Sequence, residues 1–527
     1  MNYILTNARI LNLDTGLLTE ANSVLVQDGV IQTVGSLSAC KQAAKASSET
    51  IDLKGRFLLP AFTDTHTHFV ENAKRSVLID LGNCISVKDM LDTLIKHREN
   101  LFGQQSWILG GYWDKNIIDE PAMVNRQLLD RVFPDLPVAL QSKDYHSKWC
   151  NSKALQIAGI DSHTIDPCGG KIERDAVGKP AGILFETAAQ MIDPFIVPLS
   201  DNLIQQAIKH SVAEIYKLGL TCFHSMESEH SMNLLRQTQA EGTLFRCCWH
   251  FPLDDLDQMI EAGIRSYTGD EWMKTGGVKI FADGSLGSQT AAMFDPYPSD
   301  PQNFGILRYA PDELLSIVSK AAGHDISSTI HAIGDRTVRI VIDTFLELKT
   351  RFPAADLFHR IEHVQTIQPT DLKLLKACGA YCALQPVHLA YDIPMIEKYW
   401  QSTRENPYPF KSFIDLGIPH GFGSDAPIET INPFHGIHSA LYRKHNLDPT
   451  KESWMPQQKV SLMDALRAYT IGAAQASRSG HVRGSIETGK SADLIVLDDW
   501  SDQGEDFWLR CRSRLTMING NIVFQDV

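Results

Sequence analysis

Two histidines one residue apart, His66 and His68, end the run Phe57-Leu-Leu-Pro-Ala-Phe-Thr-Asp-Thr-His-Thr-His68. A short apolar segment of this kind reads as a buried strand, and alternate residues of a strand share a face. Both imidazoles then point the same way and could hold one metal ion. Alone, an H-x-H pair is a weak signal, but four later segments repeat the form: an apolar run ending in a side chain that can meet a metal. Gly277-Val-Lys-Ile-Phe-Ala-Asp283 carries Lys279, and Ser328-Thr-Ile-His-Ala-Ile-Gly-Asp335 carries His331. Phe358-His-Arg-Ile-Glu-His363 ends in His363, and His420-Gly-Phe-Gly-Ser-Asp-Ala-Pro427 carries Asp425. Singly, each has a bland explanation, a hydrogen-bonded core histidine or a turn aspartate. In order, and each at a strand end, they point to a metal centre assembled from several strands.

Imidazole and carboxylate ligands suit Zn²⁺, the metal expected here, and equally Mn²⁺ or Fe²⁺. Lys279 is the unusual member. One reading is a lysine whose stem crosses the sheet while its ammonium reaches water. Yet its segment is apolar on both sides, and burial depresses a lysine's pKa toward a neutral, nucleophilic amine. Such an amine can react with CO₂ to give a carbamate, a carboxylate-like bridge between two metals. One or two ions per chain, and N6-carboxylation of Lys279, are the cofactor expectations.

The set resembles the amidohydrolase superfamily of metal-dependent (β/α)8-barrel hydrolases, in the branch that contains N-substituted formamide deformylase. The resemblance rests on Leu59-Pro-Ala-Phe-Thr-Asp-Thr-His-Thr-His68, Asp144-Tyr-His-Ser-Lys-Trp-Cys-Asn-Ser-Lys-Ala-Leu155 and Val278-Lys-Ile-Phe-Ala-Asp-Gly-Ser-Leu-Gly-Ser288. It continues in His331-Ala-Ile-Gly-Asp335, Ile361-Glu-His-Val-Gln365 and Gly423-Ser-Asp-Ala-Pro427, and spans nearly the whole chain. It implies that the lysine of the fourth strand is carboxylated, with His66, His68 and Asp425 around the more buried metal and His331 and His363 around the other. The implied activity is hydrolysis of a C–N bond in a small amide, an N-substituted formamide being the substrate class suggested. A metal ion lowers the pKa of its water toward ~7, giving hydroxide. Asp425 would take the proton and pass it to the leaving amine, which makes Asp425 and Lys279 the catalytic candidates. The alternatives are deamination or hydrolysis of a cyclic amide or ester, and, in another class, a non-catalytic binding protein on the same fold.

Candidate substrate contacts are His146, in a segment of the branch pattern from which Tyr145 and Cys150 depart, and Asp283 and Ser285, just beyond Lys279. For His224, His250 and His388, also near strand ends, a core or loop role is expected, and Asp114 reads as a plain loop residue. Metal-bound imidazoles usually donate their other N–H to an outer acceptor. Glu362 and Asp335 are adjacent in sequence to candidate ligands, but the sequence does not place them.

Positioning such a set requires strands that converge. Between the termini, strand-like runs alternate with helical stretches, the pattern of a parallel sheet covered by helices. Eight barrel strands are expected near Phe57–Asp64, Leu220–Ser225, Phe245–Phe251, Gly277–Ala282, Ser328–Ile333, His359–His363, Ala380–Gln385 and Gly421–Ser424. Helices fall at Asp312–Ala322, Thr337–Phe352 and Leu462–Ala476. Eight strands close a TIM-type barrel, whose active site lies at the C-terminal strand ends. The fold class is therefore α/β, a (β/α)8 barrel over 59–484. Residues 1–58 and 485–527 read as hairpin-rich pieces of one small β-sandwich, an arrangement the resemblance also implies. The long gap at 70–215 reads as an inserted α/β subdomain after the first strand, beside the active site by connectivity.

The 527 residues leave room for such a barrel and smaller units. Hydrophobic content of 43% and charged content of 21% suit a globular protein. A formal charge of −14, with no Lys/Arg run, argues against nucleic acid and anionic membranes as partners. Ten cysteines without a C-x-x-C pair suit free thiols in a reducing compartment. With no signal peptide and no membrane-length apolar run, a cytoplasmic enzyme acting on a small molecule is expected. A homodimer is one assembly the sequence leaves open.

Overall fold

The computed structural model describes residues 2–82, 84–99, 106–113, 118–142, 147–167, 170–298, 300–400, 406–501 and 503–526. At its centre is an eight-stranded, all-parallel sheet. Its strands in chain order are β1 (Phe62–Thr67), β2 (Leu220–Ser225), β3 (Arg246–Pro252), β4 (Met273–Phe281), β5 (Ser328–Ala332), β6 (Arg360–His363), β7 (Tyr381–Leu384) and β8 (His420–Phe422). β1, β2, β5, β6 and β7 are buried at every residue. Both faces of these strands are covered, so even the polar Thr63, Asp64, Thr65, His66 and Thr67 of β1 are buried.

The sheet is nearly closed. The β1–β8 seam is drawn together at its C-terminal end, where Asp425 N–H donates to the His66 carbonyl and His68 N–H to the Ala426 carbonyl, both at 2.7 Å. Asp64 Oδ1 accepts from the N–H groups of both His66 and Ser424 at 3.0 Å. Close approach requires Gly423: a Cβ there would meet the His66 nitrogen at 2.6 Å. The hydrogen bonds that close the barrel are therefore made by the residues that carry, or adjoin, the candidate ligands.

Helix Asp335–Arg351 shows how the sheet is covered. It buries Val338, Val341, Ile342, Phe345 and Leu348, the spacing of one apolar stripe. It stops before Pro353, which disfavours helical backbone at the preceding residue. Truncating a buried member such as Ile342 to Ala costs about 2–5 kcal/mol.

Two expected elements are divided. The run Phe57–Asp64 is not one strand: Phe57–Pro60 pairs antiparallel with Leu494–Leu497 in a second sheet, and β1 begins only at Phe62. Pro60 has no N–H with which to continue a ladder, and the chain changes sheets at Ala61, whose N–H goes to the Asp493 carbonyl at 2.9 Å. The helix expected at Leu462–Ala476 forms as Leu462–Tyr469 and Ile471–Ala476. They part at Thr470, whose hydroxyl bonds back to the Leu466 carbonyl at 2.7 Å.

Strands from both ends of the chain share the second sheet, ordered Arg9–Ile10, Phe57–Pro60, Leu494–Leu497, Leu515–Ile518, Asn521–Gln525. A third, four-stranded sheet is formed by Val30–Gly35, Ser23–Gln27, Tyr3–Thr6 and Glu49–Asp52. Leu5, Val24, Val26, Leu58, Leu494, Val496 and Met517 from these two sheets join in one apolar core. Residues Met1–Phe69 and Val212–Val527 form one compact unit and Val70–Ser211 another. The latter has its own six-stranded mixed sheet and two apolar clusters, one around Trp113, Leu129 and Trp149, the other around Trp107, Leu155 and Leu184. Among the described residues no helix is long and apolar enough to cross a membrane.

Candidate active site

The C-terminal ends of β1, β4, β5, β6 and β8 bring His66, His68, Lys279, His331, His363 and Asp425 together. Ligand-competent atoms of His66, His363 and Asp425 lie within 4.8 Å of one another. His66 Nε2 and His68 Nε2 stand 3.3 and 3.4 Å from Asp425 Oδ1. The His331 and His363 rings are 4.6 Å apart, and those of His66 and His363 4.9 Å. Lys279 Nζ is 3.5 Å from His66 Nε2.

Each of the four histidines has one ring nitrogen against an oxygen that can only accept. His66 Nδ1 donates to Glu362 Oε2 at 2.5 Å, and His68 Nδ1 to the Met226 carbonyl at 3.0 Å. His331 Nε2 donates to the Gly284 carbonyl at 3.0 Å, and His363 Nδ1 to Gln385 Oε1 at 2.8 Å. The Gln385 amide is itself turned by its NH₂ donating to the Ala383 carbonyl at 3.0 Å. A neutral imidazole carries one N–H, so each ring's other nitrogen is left with its lone pair. This is how metal-binding histidines are held.

Charge and strain are concentrated here. Burial, with Lys279 nearby, lowers the His331 pKa to about 3. Burial alone pushes Asp425 up, but His66, His388 and His68 outweigh it and hold the carboxyl well below its usual range. Lys279 is brought down to about 8, chiefly by burial. Among the described residues no carboxylate oxygen lies within ion-pairing distance of its Nζ. His363 (φ 77°), Val364 (φ 42°) and Asp425 (φ 60°) take the left-handed backbone region. That costs of order 1–3 kcal/mol at a non-glycine residue and clusters at functional sites.

The substrate candidates are placed differently. Asp283 is fully buried and accepts the N–H groups of Ala292, Ile333 and Gly334 at 2.9–3.1 Å, with His331 Nε2 3.4 Å away. Its carboxylate ties together the loops after β4 and β5 behind His331, a correction to the expectation that it lines the pocket; a carboxyl carrying three backbone donors has little left for a ligand. Ser285 is exposed on the loop after β4, 2.9 Å from the Ser288 hydroxyl. His146 and Asp114 lie outside the described residues. Asp335 receives the Phe294 N–H at 3.0 Å and the Gln368 amide at 2.5 Å, a loop anchor.

Two residues gain importance only in three dimensions. Glu362 is the acceptor behind His66. His388 stands in the first turn of helix Pro386–Tyr399, its Nε2 3.5 Å from Asp425 Oδ2. Its position just after the apolar run of β7, like the ligands after theirs, was the available signal. Burial lowers the His388 pKa, but Asp425 and Asp392 more than offset this and raise it to about 9.

The sequence matches the model of the amidohydrolase family over residues 49–524. It is 31% identical over 527 residues to the Bacillus subtilis (strain 168) amidohydrolase YtcJ, covering 97% of each chain. It is 29% identical over 498 residues to the N-substituted formamide deformylase of Arthrobacter pascens, covering 91% of this chain and 90% of that one. The structure superposes on the crystal structure of a metal-dependent hydrolase from Pyrococcus horikoshii OT3 with a TM-score of 0.78 and 26% identity, over 95% of this chain and 98% of that one. With the family model matched over nearly its full length and an all-parallel eight-stranded barrel to carry it, the chain belongs to the amidohydrolase family of metal-dependent hydrolases.

Proposed function

We propose that this protein hydrolyses a C–N bond of a small amide, with N-substituted formamides as the substrate class. The reading is carried by one observation: four histidines from three strands each commit one nitrogen to an oxygen acceptor, the open nitrogens of His66 and His68 face Asp425, Lys279 stands beside His66, and the His363 ring adjoins those of His66 and His331. The substrate class follows the likeness to N-substituted formamide deformylase.

His66, His68 and Asp425 would hold one divalent ion and His331 and His363 a second, Zn²⁺ being one that imidazole and carboxylate donors suit, with Lys279, carboxylated on Nζ, contributing to both; a bound divalent ion supplies Lewis acidity and lowers the pKa of water. The lysine assignment is supported by its burial and by the lack, among the described residues, of a carboxylate within ion-pairing distance, since an enclosed ammonium is disfavoured. Asp425 serves as the base. As the water oxygen bonds to the carbonyl carbon, an Asp425 carboxylate oxygen takes the water's proton. It delivers that proton to the amide nitrogen as the C–N bond breaks, so the amine leaves neutral. His388, on the other carboxylate oxygen, keeps Asp425 turned toward the reacting atoms. Ser285, on the exposed loop beyond β4, is the contact proposed for the substrate's outer part, and His146 remains a second such contact.

A screen of N-formyl, N-acyl and cyclic amides with Zn²⁺ or Mn²⁺ added tests the reading, with metal analysis alongside. Formate release from an N-substituted formamide is the expected result. Ammonia release would make the protein a deaminase, and ring opening a cyclic amidase. A metal-free protein without turnover would make it a binding protein on this fold.

A further inference from the structure

Arg360, on β6, is only 1% exposed, and its surroundings indicate its task. Nε and one N–H of NH2 form a fork onto Glu362, at 2.9 Å to Oε1 and 3.0 Å to Oε2. The other N–H of NH2 goes to the Thr65 carbonyl at 2.7 Å. NH1 faces His224 Nδ1 at 2.7 Å and His250 Nε2 at 3.2 Å. A guanidinium has five N–H groups, and here each has an acceptor, drawn from β1, β2, β3 and β6. His250 itself fits because position 276 is glycine: a Cβ there would meet its ring at 2.3 Å.

We propose that Arg360 and Glu362 form a positioning pair that fixes the ring of His66 and so governs how firmly the centre retains its metal. The proposal rests on the reading of His66 as a ligand. The fork holds both oxygens of Glu362, so its carboxylate cannot turn away from His66 Nδ1, 2.5 Å from Oε2. Thr65 precedes His66 in β1, so the same guanidinium also grips the backbone that carries the ring. His224 and His250 stop the guanidinium from rotating. His68, His331 and His363 have neutral acceptors at 2.8–3.0 Å, with Asp283 farther from His331 Nε2 at 3.4 Å, whereas His66 donates to a carboxylate at 2.5 Å, the stronger hydrogen bond. A lysine at position 360 could supply the charge but not the fork.

The test compares metal release to a chelator, and the visible absorption spectrum of the Co²⁺-loaded protein, in the parent and in Glu362→Gln and Arg360→Lys. Glu362→Gln should weaken metal retention by ~10–100-fold, the usual effect of losing an outer partner of a ligand, and shift the Co²⁺ spectrum. Arg360→Lys should move both readouts in the same direction by less. Glu362→Asp, which keeps the charge but withdraws the oxygen from Nδ1, serves if the amide variant does not fold. Variants that lose stability in urea while the folded fraction keeps the parental release rate and spectrum would overturn the positioning role and leave a structural one. A parent that binds no divalent metal would instead remove the ligand reading, and this inference with it.

Discussion

Two sets of histidines share the inside of one barrel and face opposite electrostatic tasks. His66, His68, His331 and His363 each give an N–H to an oxygen and keep a lone pair for the centre. His224 and His250 spend a lone pair on Arg360, a group that only donates. Together with Cys248 they have the spacing to hold an ion, but the guanidinium already supplies the cation. Burial, with Arg360 next, pushes both well below the ordinary histidine range. Proximity among histidines therefore does not define a metal site. What faces their second nitrogen does: an acceptor behind the ring leaves it ready for a cation, and a donor in front leaves it occupied.

The comparison can be broken by changing one set and reading both metal and stability. The largest effect is expected for Asp425→Asn, which keeps the side chain's shape but cannot take the proton: turnover should fall by ~10²–10⁴-fold with the fold unchanged by circular dichroism. Parental turnover at full metal content would give the base's role to another group. Lys279→Ala should lose at least one ion per chain by elemental analysis, and most activity, with short carboxylic acids restoring part of both. A full single-ion complement in parent and variant alike would leave a one-metal hydrolase.

Stripping the metal should lower the melting temperature, because a ligand present at 100 times its Kd stabilises the folded state by about 2.7 kcal/mol, and Zn²⁺ should restore it. The smallest effect belongs to the other set. His224→Phe leaves one Arg360 N–H unmet and should cost about 1–3 kcal/mol by urea unfolding while the ion count stays parental. Metal loss there as complete as in His66→Ala would erase the distinction between the two sets.

The convergence of the candidate ligands was legible because each lies at the end of a short apolar run, and strand periodicity alone puts such residues on one rim. His66 with His68, and Lys279 within Gly277–Ala282, needed no more than that. The eight strands were legible for the same reason, with errors where a local rule intervened. Pro60 ended one ladder and the chain crossed to another sheet; Thr470 broke a helix whose apolar spacing runs on past it.

Partners contributed by distant strands were not legible. Sequence places Glu362 beside His363, yet it serves His66, because residues adjacent in a strand point to opposite sides and only closure of the barrel brings β6 to β1. Asp283 stands four residues after Lys279, yet the turn beyond β4 folds its carboxylate into the loops. Composition and periodicity determined the α/β barrel and the identities of its metal-competent residues, since apolar burial and the two-residue repeat are local properties. The tertiary structure alone decided which nitrogen of each histidine stays open, because a ring's tautomer is set by whichever atom the fold presses against its other side.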